Sequence, residues 1–363
     1  MSTKKNSSDP YGFRLIESGR PLERWEMPPP EPESLQVVVE VAGCGVCHTD
    51  VSFAVDGVPT RHPLPLVLGH EISGRVVAAG NEASEWMDRS VIVPAVVPCG
   101  GCDACAAGRP TICREQFMPG NHGHGGFATH VTVPSYGLCA VPENLPAGLS
   151  LPVLSVVADA VTTPLEAIRR AGLSSGDVAV FVGVGGVGGF GVQIAAAVGA
   201  AAVAIDIDRS RLELASRHGA ELALDATKLD GRALKTAVRD FTRQAGCTGV
   251  GRKIFETSGT AAGQRTAWAL LDPGAHLAVV GFTPEKLELR LSNLMAFDAV
   301  AQGNWGSSPE RYPEALELVL GGKVALEPYV EMHPLDRAPE VLQAVAEHRL
   351  SGRAILVPSL RVS

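Results

Sequence analysis

The residues with the clearest chemistry are four cysteines within the fifteen-residue stretch CGGCDACAAGRPTIC, namely Cys99, Cys102, Cys105 and Cys113. Four thiolates can close a tetrahedron around one zinc ion and leave no position open for a substrate, so such a site shapes a loop and carries out no reaction. A disulfide-linked or reduced loop and an iron–sulfur cluster are the alternative interpretations. The short spacing and the interleaved glycines favour a structural zinc site.

A second group with metal-binding chemistry lies upstream, in the sequences CHTD and GHE. Cys47 and His70 supply a soft thiolate and an imidazole, which are two of the three protein ligands that a catalytic zinc requires. A carboxylate, Glu71, follows directly. Because a single cysteine or histidine more often serves packing than metal binding, this group is interpreted together with the motifs around it.

A glycine-rich turn follows an apolar strand in the segment VAVFVGVGGVGGFGVQIAAAVG. Glycines at these spacings allow a tight turn, a close approach of pyrophosphate to the backbone, and close packing of the next helix. The N-terminus of that helix offers unpaired N–H groups to the phosphates. The turn therefore predicts a dinucleotide site formed by Gly183, Gly185, Gly186, Val187 and Gly188.

An acid, Asp206, ends the next strand eighteen residues beyond Gly188. A carboxylate at this point accepts hydrogen bonds from the ribose hydroxyls and repels a 2′-phosphate, which favours NAD over NADP. Arg209 and Arg211 lie close by and could contact a phosphate instead. Arg211 is included among the predicted cofactor contacts.

The secondary-structure elements that must position these residues follow two different sequence patterns. From Leu35 to about Pro142 the chain alternates short β-branched runs with Gly and Pro clusters, which predicts a mostly antiparallel β domain. From about Asp159 apolar strands alternate with amphipathic helices, which predicts a doubly wound parallel sheet. The fold class is therefore α/β with a second, β-rich domain.

Bulk properties limit the partners and the location. The chain has 363 residues, 45% hydrophobic and 19% charged, with a net charge of −8. No basic stripe is present, so nucleic acid is not an expected partner. The N-terminal sequence MSTKKNSSDPYG lacks the apolar core of a signal peptide, and no membrane partner is expected. Eight cysteines without an export signal predict a cytoplasmic location.

Taken in order, G-C-G-V-C-H-T-D, G-H-E, the four cysteines and G-V-G-G-V-G resemble the medium-chain zinc alcohol dehydrogenases from about Val37 to Leu356. The resemblance implies a GroES-like catalytic domain over 1–160 and 307–363, and a Rossmann NAD-binding domain over 161–306. It also implies NAD and two zinc ions per subunit, one catalytic and one structural.

The same resemblance assigns roles at the catalytic zinc. Cys47 and His70 become ligands, and Glu71 becomes a carboxylate that can enter the coordination shell. The third ligand is often cysteine in this family, whereas here Asp159 occupies the position. A carboxylate oxygen is an acceptable zinc ligand. The alternative is that Asp159 only caps the helix that follows.

Proton transfer and cofactor contacts are also implied by the resemblance. Thr49 corresponds to the hydroxyl that relays the alcohol proton, and Ser52 stands where many members carry a histidine. The remaining expected cofactor contacts are His48, Thr163, Val280, Gly281 and Arg353. His122 and His124 are interpreted as loop residues, and Cys44, Cys139 and Cys247 as buried small hydrophobes.

The stretch CHTDVSFAVDGVPTRHPLPLVLGHE, with the aspartate ligand, resembles family members that oxidise a cyclic allylic alcohol carrying a CoA thioester. It implies cationic side chains, Arg61 or His62, near the mouth of a long cleft. Oxidation of another alcohol or polyol, and zinc-assisted hydration of an unsaturated CoA thioester, are the alternatives. A zinc-free reductase would lack Cys47 and His70. Relatives form homodimers or homotetramers, for which Leu287–Gln302 is the candidate segment.

Overall fold

The structure, a computed structural model, describes residues 9–246 and 251–360. These residues form two compact units. The first comprises the described residues of Met1–Asp159, Ser307–Glu314 and Val330–Ser363, and the second comprises those of Ala160–Gly306 and Ala315–Tyr329.

The predicted division differs from this at Ala160 and at residues 315–329, which belong to the second unit and not to the β-rich one. The physical reason is packing within that unit. The Tyr329 ring lies 5.3 Å from the ring of Phe190 and 5.6 Å from that of His218. The Gln193 side chain also bonds both backbone groups of Ala325.

The first unit is built on a seven-stranded sheet in the order β15-β16-β3-β5-β6-β8, with β7 also paired to β3. All of its pairings are antiparallel except β15 with β16. A second sheet has the order β2-β1-β4. The strands are β1 Tyr11–Leu15, β2 Glu23–Glu26, β3 Gln36–Gly45, β4 Leu66–Val67, β5 Glu71–Ala79, β6 Ser90–Val93, β7 His130–Pro134, β8 Cys139–Ala140, β15 Val330–Pro334 and β16 Arg353–Val357.

Short helices connect these strands. The α-helices are α1 His48–Ala54, α2 Asp103–Ala106 and α10 Ala338–Ala346, and the 3₁₀ helices are Asn81–Trp86, Pro110–Ile112, Val153–Ala158, Pro309–Arg311 and Leu335–Arg337. One helix, α9 Tyr312–Leu320, begins in the first unit and continues into the second.

The second unit contains a six-stranded parallel sheet in the order β11-β10-β9-β12-β13-β14. This order reverses direction next to β9, which is the doubly wound arrangement of dinucleotide-binding folds. The strands are β9 Val178–Val182, β10 Ala201–Asp206, β11 Ala220–Asp225, β12 Lys253–Glu256, β13 His276–Val279 and β14 Val300–Gly303. The helices are α3 Thr162–Arg170, α4 Gly186–Val198, α5 Arg209–Arg217, α6 Gly231–Gln244, α7 Ala261–Ala269, α8 Ser292–Phe297 and the 3₁₀ helix Glu327–Tyr329.

Burial accounts for the uninterrupted apolar strands of the second unit. Every residue of β9 and β10 is buried, as expected for central parallel strands covered on both faces.

Cys44 and Cys139 are buried as predicted, whereas Cys247 lies outside the described residues. Among the described residues, no helix has both the length and the apolar character to span a bilayer.

Tyr312 ties two loops of the first unit together. Its buried hydroxyl donates to the Ala158 carbonyl at 2.6 Å and accepts from the Ala95 N–H at 2.9 Å. Ala158 immediately precedes Asp159. The hydroxyl therefore fixes the end of the 3₁₀ helix Val153–Ala158.

We expect Tyr312→Phe to lower the free energy of unfolding by about 1–3 kcal/mol, because two buried backbone groups lose this hydrogen bond. Denaturant unfolding measures the loss. Tyr136→Phe, on a ring that is 55% exposed, is the control and should change little. Equal stability of the two variants would contradict the assignment.

Candidate active site

Sheet register brings three segments of the first unit to one point. Gly45 at the end of β3 pairs with Glu71 of β5 on one side and with Ile355 of β16 on the other. Gly45 must lack a side chain, because a Cβ there would overlap the Glu71 carboxylate. The register thus places Cys47, just beyond β3, beside the first residues of β5 and β16.

Four side chains with metal-binding atoms converge there. One ligand atom each of Cys47, His70, Glu71 and Asp159 lies within 4.8 Å of the others. Asp159 Oδ2 is 3.8 Å from Cys47 Sγ and 3.7 Å from His70 Nε2. Sulfur, nitrogen and oxygen donors at these separations fit a shared zinc ion about 2.0–2.3 Å from each.

Asp159 follows the 3₁₀ helix Val153–Ala158, and its side chain is only 16% exposed. The N-cap position of α3 is Val161, so the interpretation of Asp159 as the cap of that helix does not match the structure. Its contacts with Cys47 and His70 are those expected of the third ligand.

Asp50 connects the two ligand-bearing segments and is fully buried. Its Oδ2 accepts the Cys47 N–H at 2.9 Å, and its Oδ1 accepts the Gly69 N–H at 3.1 Å. Oδ1 also lies 3.4 Å from His70 Nδ1. Because Nδ1 faces Asp50, Nε2 of His70 faces Asp159. The Asp50 carboxylate thus orients the ring for metal binding.

Charges around the site shift the proton affinity of two of these groups. Burial disfavours a charged imidazole, but Asp50 and hydrogen bonds to Asp159 and Cys47 outweigh it and raise the pKa of His70. Burial raises the pKa of Glu71 to about 7, against the opposing charge of Arg353. Metal binding therefore requires release of a proton from the site.

Arg353 lies beside the donor set, and its contact with a cofactor phosphate stays a prediction. Its Nε donates to Glu71 Oε2 at 2.8 Å and its Nη2 donates to Oε1, while Nη2 also lies 3.9 Å from Asp159. The Arg353 side chain is buried, and its charge is compensated by the fully buried Glu71 carboxylate. Arg353 is thus the cation that the structure places next to Glu71 and Asp159.

The expected proton-transfer residues lie on α1. Thr49 is half-buried, with Oγ1 3.7 Å from Cys47 Sγ. Ser52 is buried one turn further along the same face of the helix. His48 is exposed, and its ring stacks on that of His348 at 5.1 Å. No motif pointed to His348, since only the fold brings it to α1.

The four-cysteine lobe is also confined to the first unit. Sulfur–sulfur distances are 3.6 Å for Cys102–Cys105, 3.7 Å for Cys102–Cys113 and 3.5 Å for Cys113–Cys99. These values are far from the about 2.05 Å of a disulfide. They approach the edge of a tetrahedron, about 3.8 Å, that four sulfurs form at a typical zinc–sulfur distance. The lobe thus fits one zinc ion.

The glycine turn of the second unit joins β9 to α4. Gly183 has a φ of 88°, and a Cβ there would overlap Ser258. A Cβ on Gly188 would overlap the Gly183 carbonyl, so that glycine lets α4 approach the turn. Gly186 and Val187 form the first turn of α4, where their N–H groups face the turn region.

Asp206 is bonded to this turn. Its Oδ2 accepts the Val184 N–H at 2.7 Å, and Oδ1 accepts the N–H groups of Ile207 and Asp208. The Arg211 guanidinium lies above Gly185, with Nη1 3.6 Å from the position of a Cβ on that glycine. Both side chains therefore border the predicted dinucleotide site.

The remaining predicted cofactor contacts also lie in the second unit. Thr163 is buried in the first turn of α3. Val280 and Gly281 follow β13, and both donate their N–H groups to the Glu256 carbonyl at 2.9 Å. Their contact with nicotinamide stays a prediction.

Comparisons with known proteins agree with this arrangement. Residues 33–143 match the alcohol dehydrogenase GroES-like domain, and residues 186–321 match the zinc-binding dehydrogenase model. An alcohol dehydrogenase of Geobacillus stearothermophilus is 30% identical over 92% of this chain and 95% of its own length. An NAD-dependent alcohol dehydrogenase of Sulfurisphaera tokodaii is 28% identical over 95% of this chain and 99% of its own.

Among solved structures, the alcohol dehydrogenase of Aeropyrum pernix superposes with a TM-score of 0.85 and 28% identity. It covers 96% of this chain and 100% of the other. The match includes both units of the fold.

Replacing Asp159 by Ala should remove the catalytic ion and leave the one in the lobe, because a catalytic zinc needs three protein ligands. We expect zinc content to fall from two ions to one per chain in elemental analysis, with loss of activity. Asp103→Ala, at an exposed position within the lobe, is the control and should keep both ions. Two retained zinc ions and full activity in the Asp159 variant would exclude the ligand role.

Proposed function

The chain belongs to the zinc-type medium-chain alcohol dehydrogenase family, and from this premise we propose that it oxidises a secondary alcohol to a ketone with NAD. The observation that carries the proposal is the convergence of thiolate, imidazole and carboxylate donors on one point of the first unit. A glycine turn followed by an acid supports NAD as the cofactor.

Zinc held by Cys47, His70 and Asp159 would act as a Lewis acid that lowers the pKa of an alcohol hydroxyl. The oxidation releases a hydride, which the nicotinamide ring accepts, and a proton, which must leave the site. Thr49 Oγ1 is proposed to take this proton, because it is the hydroxyl next to the donor set. A hydroxyl accepts one proton while donating its own, so Ser52 can pass the proton on but not retain it.

Glu71 and Arg353 are proposed to hold the charge of the site in balance. Their paired hydrogen bonds keep a buried carboxylate within reach of the donor set. Because Arg353 also lies near Asp159, it can compensate either carboxylate.

Asp206 is proposed to select NAD over NADP by repelling a 2′-phosphate. We expect kcat/KM with NAD to exceed that with NADP by at least about tenfold, which corresponds to about 1.4 kcal/mol. Asp206→Ala should weaken this preference, because it removes the carboxylate that repels the 2′-phosphate. It should also raise the KM for NAD, because the Val184 N–H of the glycine turn loses its acceptor. Asp225→Ala, at the end of the neighbouring strand, is the control. A wild-type preference for NADP would overturn the assignment.

For the substrate, we propose 6-hydroxycyclohex-1-ene-1-carbonyl-CoA, oxidised to the 6-oxo enoyl-CoA as in anaerobic benzoyl-CoA degradation. The resemblance of the segment from Cys47 to Glu71, and the aspartate at the third ligand position, support this choice. Arg61 is exposed and offers a cation for the phosphates of CoA.

Initial rates of NAD reduction with this CoA ester, benzyl alcohol, cyclohexanol and polyols test the substrate. We expect the CoA ester to have the highest kcat/KM. A simple alcohol preferred by orders of magnitude would remove this substrate and leave the reaction class intact. Product formed in labelled water without net NAD reduction would instead indicate the hydratase.

A homodimer or homotetramer is proposed from the surface of the second unit. Leu291 and Met295, next to or on α8, are 71% and 78% exposed, and β14 is an edge strand of the sheet. Apolar side chains beside an open strand edge favour pairing between subunits. Since both metal sites need reduced cysteines, we also propose a cytoplasmic location.

A further inference from the structure

Three histidines that carry no role in the proposed reaction gather in the first unit, on two loops. The loops are joined by Asn121, which is buried. Its Oδ1 accepts the Arg61 N–H at 2.9 Å, and its carbonyl accepts the His62 N–H at 2.8 Å. The His62 ring lies 5.5 Å from that of His124. His122 and His124 lie in a loop, as predicted, and the contact of His124 with His62 is added by the fold.

Backbone contacts fix which ring nitrogen carries the proton in two of these histidines. His122 Nδ1 faces the Met118 N–H at 3.2 Å, and His124 Nδ1 faces the Val67 N–H at 3.2 Å. A backbone N–H only donates, so each Nδ1 must accept and each neutral ring carries its hydrogen on Nε2. Both rings therefore offer an N–H donor on the side away from the backbone.

Cationic side chains act on both rings. Burial and then the charge of Arg61 lower the pKa of His122. Burial, followed by the charges of His62 and Arg14, lowers the pKa of His124. The neighbouring charges that act on these two rings come from Arg61, His62 and Arg14, in a chain whose net charge is −8. Arg14 Nε is itself buried without a hydrogen-bond partner. The cluster therefore combines N–H donors with cationic side chains.

We propose that Arg61, His122 and His124, supported by His62 and Arg14, bind an oxyanion group of the substrate, either a phosphate or a carboxylate. Charge-assisted hydrogen bonds from guanidinium and imidazole N–H groups are the usual way in which proteins bind such groups. The Trp25 ring, 5.0 Å from that of His124, packs against one side of the cluster. The inference rests on the proposed alcohol oxidation, because it assigns the anion to the alcohol.

Phosphate binding to the zinc-loaded, NAD-saturated enzyme tests the subsite, since bound NAD blocks the dinucleotide site. Titration with inorganic phosphate, followed by calorimetry and by ¹⁵N resonances of histidine side chains, should give saturable binding that shifts Nε2 of His122 and His124. Arg61→Gln and His124→Asn should each weaken binding at least about tenfold. Asparagine keeps an acceptor for the Val67 N–H but has no group at the Nε2 position.

Arg75→Gln is the matched control, because Arg75 is exposed in the same unit and loses the same charge. Equal phosphate affinity in the Arg61, His124 and Arg75 variants, or no saturable binding by the wild type, would overturn the subsite. Inhibition by free coenzyme A and by cyclohexanecarboxylate distinguishes a phosphate source from a carboxylate source. Only the inhibitor that carries the recognised group should lose affinity in the Arg61 and His124 variants.

The same experiments separate this inference from the proposed function. Alcohol oxidation without variant-sensitive anion binding would refute the subsite alone. Variant-sensitive anion binding without NAD reduction by any alcohol would refute the proposed reaction and leave the subsite standing.

Discussion

The buried carboxylate of Asp50 is the interaction on which the metal site depends. A fully buried charge is tolerated only when hydrogen bonds replace its lost hydration. Here the replacement comes from the backbone of Cys47 and Gly69, the two segments that carry the thiolate and imidazole ligands. Satisfying Asp50 therefore requires the same backbone geometry that brings Cys47 toward His70, and folding of the unit assembles the site.

Charge balance explains the rest of the arrangement. Cys47, Glu71 and Asp159 bring three acidic groups into a buried space, where Arg353 is the cation bonded to Glu71. A divalent ion would compensate the thiolate and the Asp159 carboxylate. Metal binding should therefore add to the stability of the first unit. In the lobe, a divalent ion would likewise compensate the charge of four clustered thiolates, but it would leave no position open for a substrate.

Local patterns in the sequence predicted the parts of the site that are contiguous in the chain. The glycine turn, the four-cysteine lobe and the alternation of strands and helices each depend on neighbours within a few tens of residues. Asp159 is predicted as a ligand only through the resemblance to the zinc alcohol dehydrogenases, because nothing in its own neighbourhood distinguishes a ligand from a helix cap.

Such local patterns could not predict contacts between residues that are distant in the sequence. Arg353 meets Glu71 through the register of β16 and β5 on either side of β3, a pairing that spans 282 residues. His348 reaches His48, and His62 reaches His124, only after the loops are folded. The allocation of residues 315–329 also depended on the packing of Tyr329, which no periodicity encodes.

Crystallography of the zinc-loaded enzyme with data collected at the zinc absorption edge tests the central claim most directly. The account predicts two anomalous peaks per chain. One should be bonded by Cys47 Sγ at about 2.3 Å and by His70 Nε2 and an Asp159 oxygen at about 2.0–2.2 Å, with one coordination position open to solvent or alcohol. A single peak in the lobe, or a second peak with Asp159 turned away from it, would contradict the account.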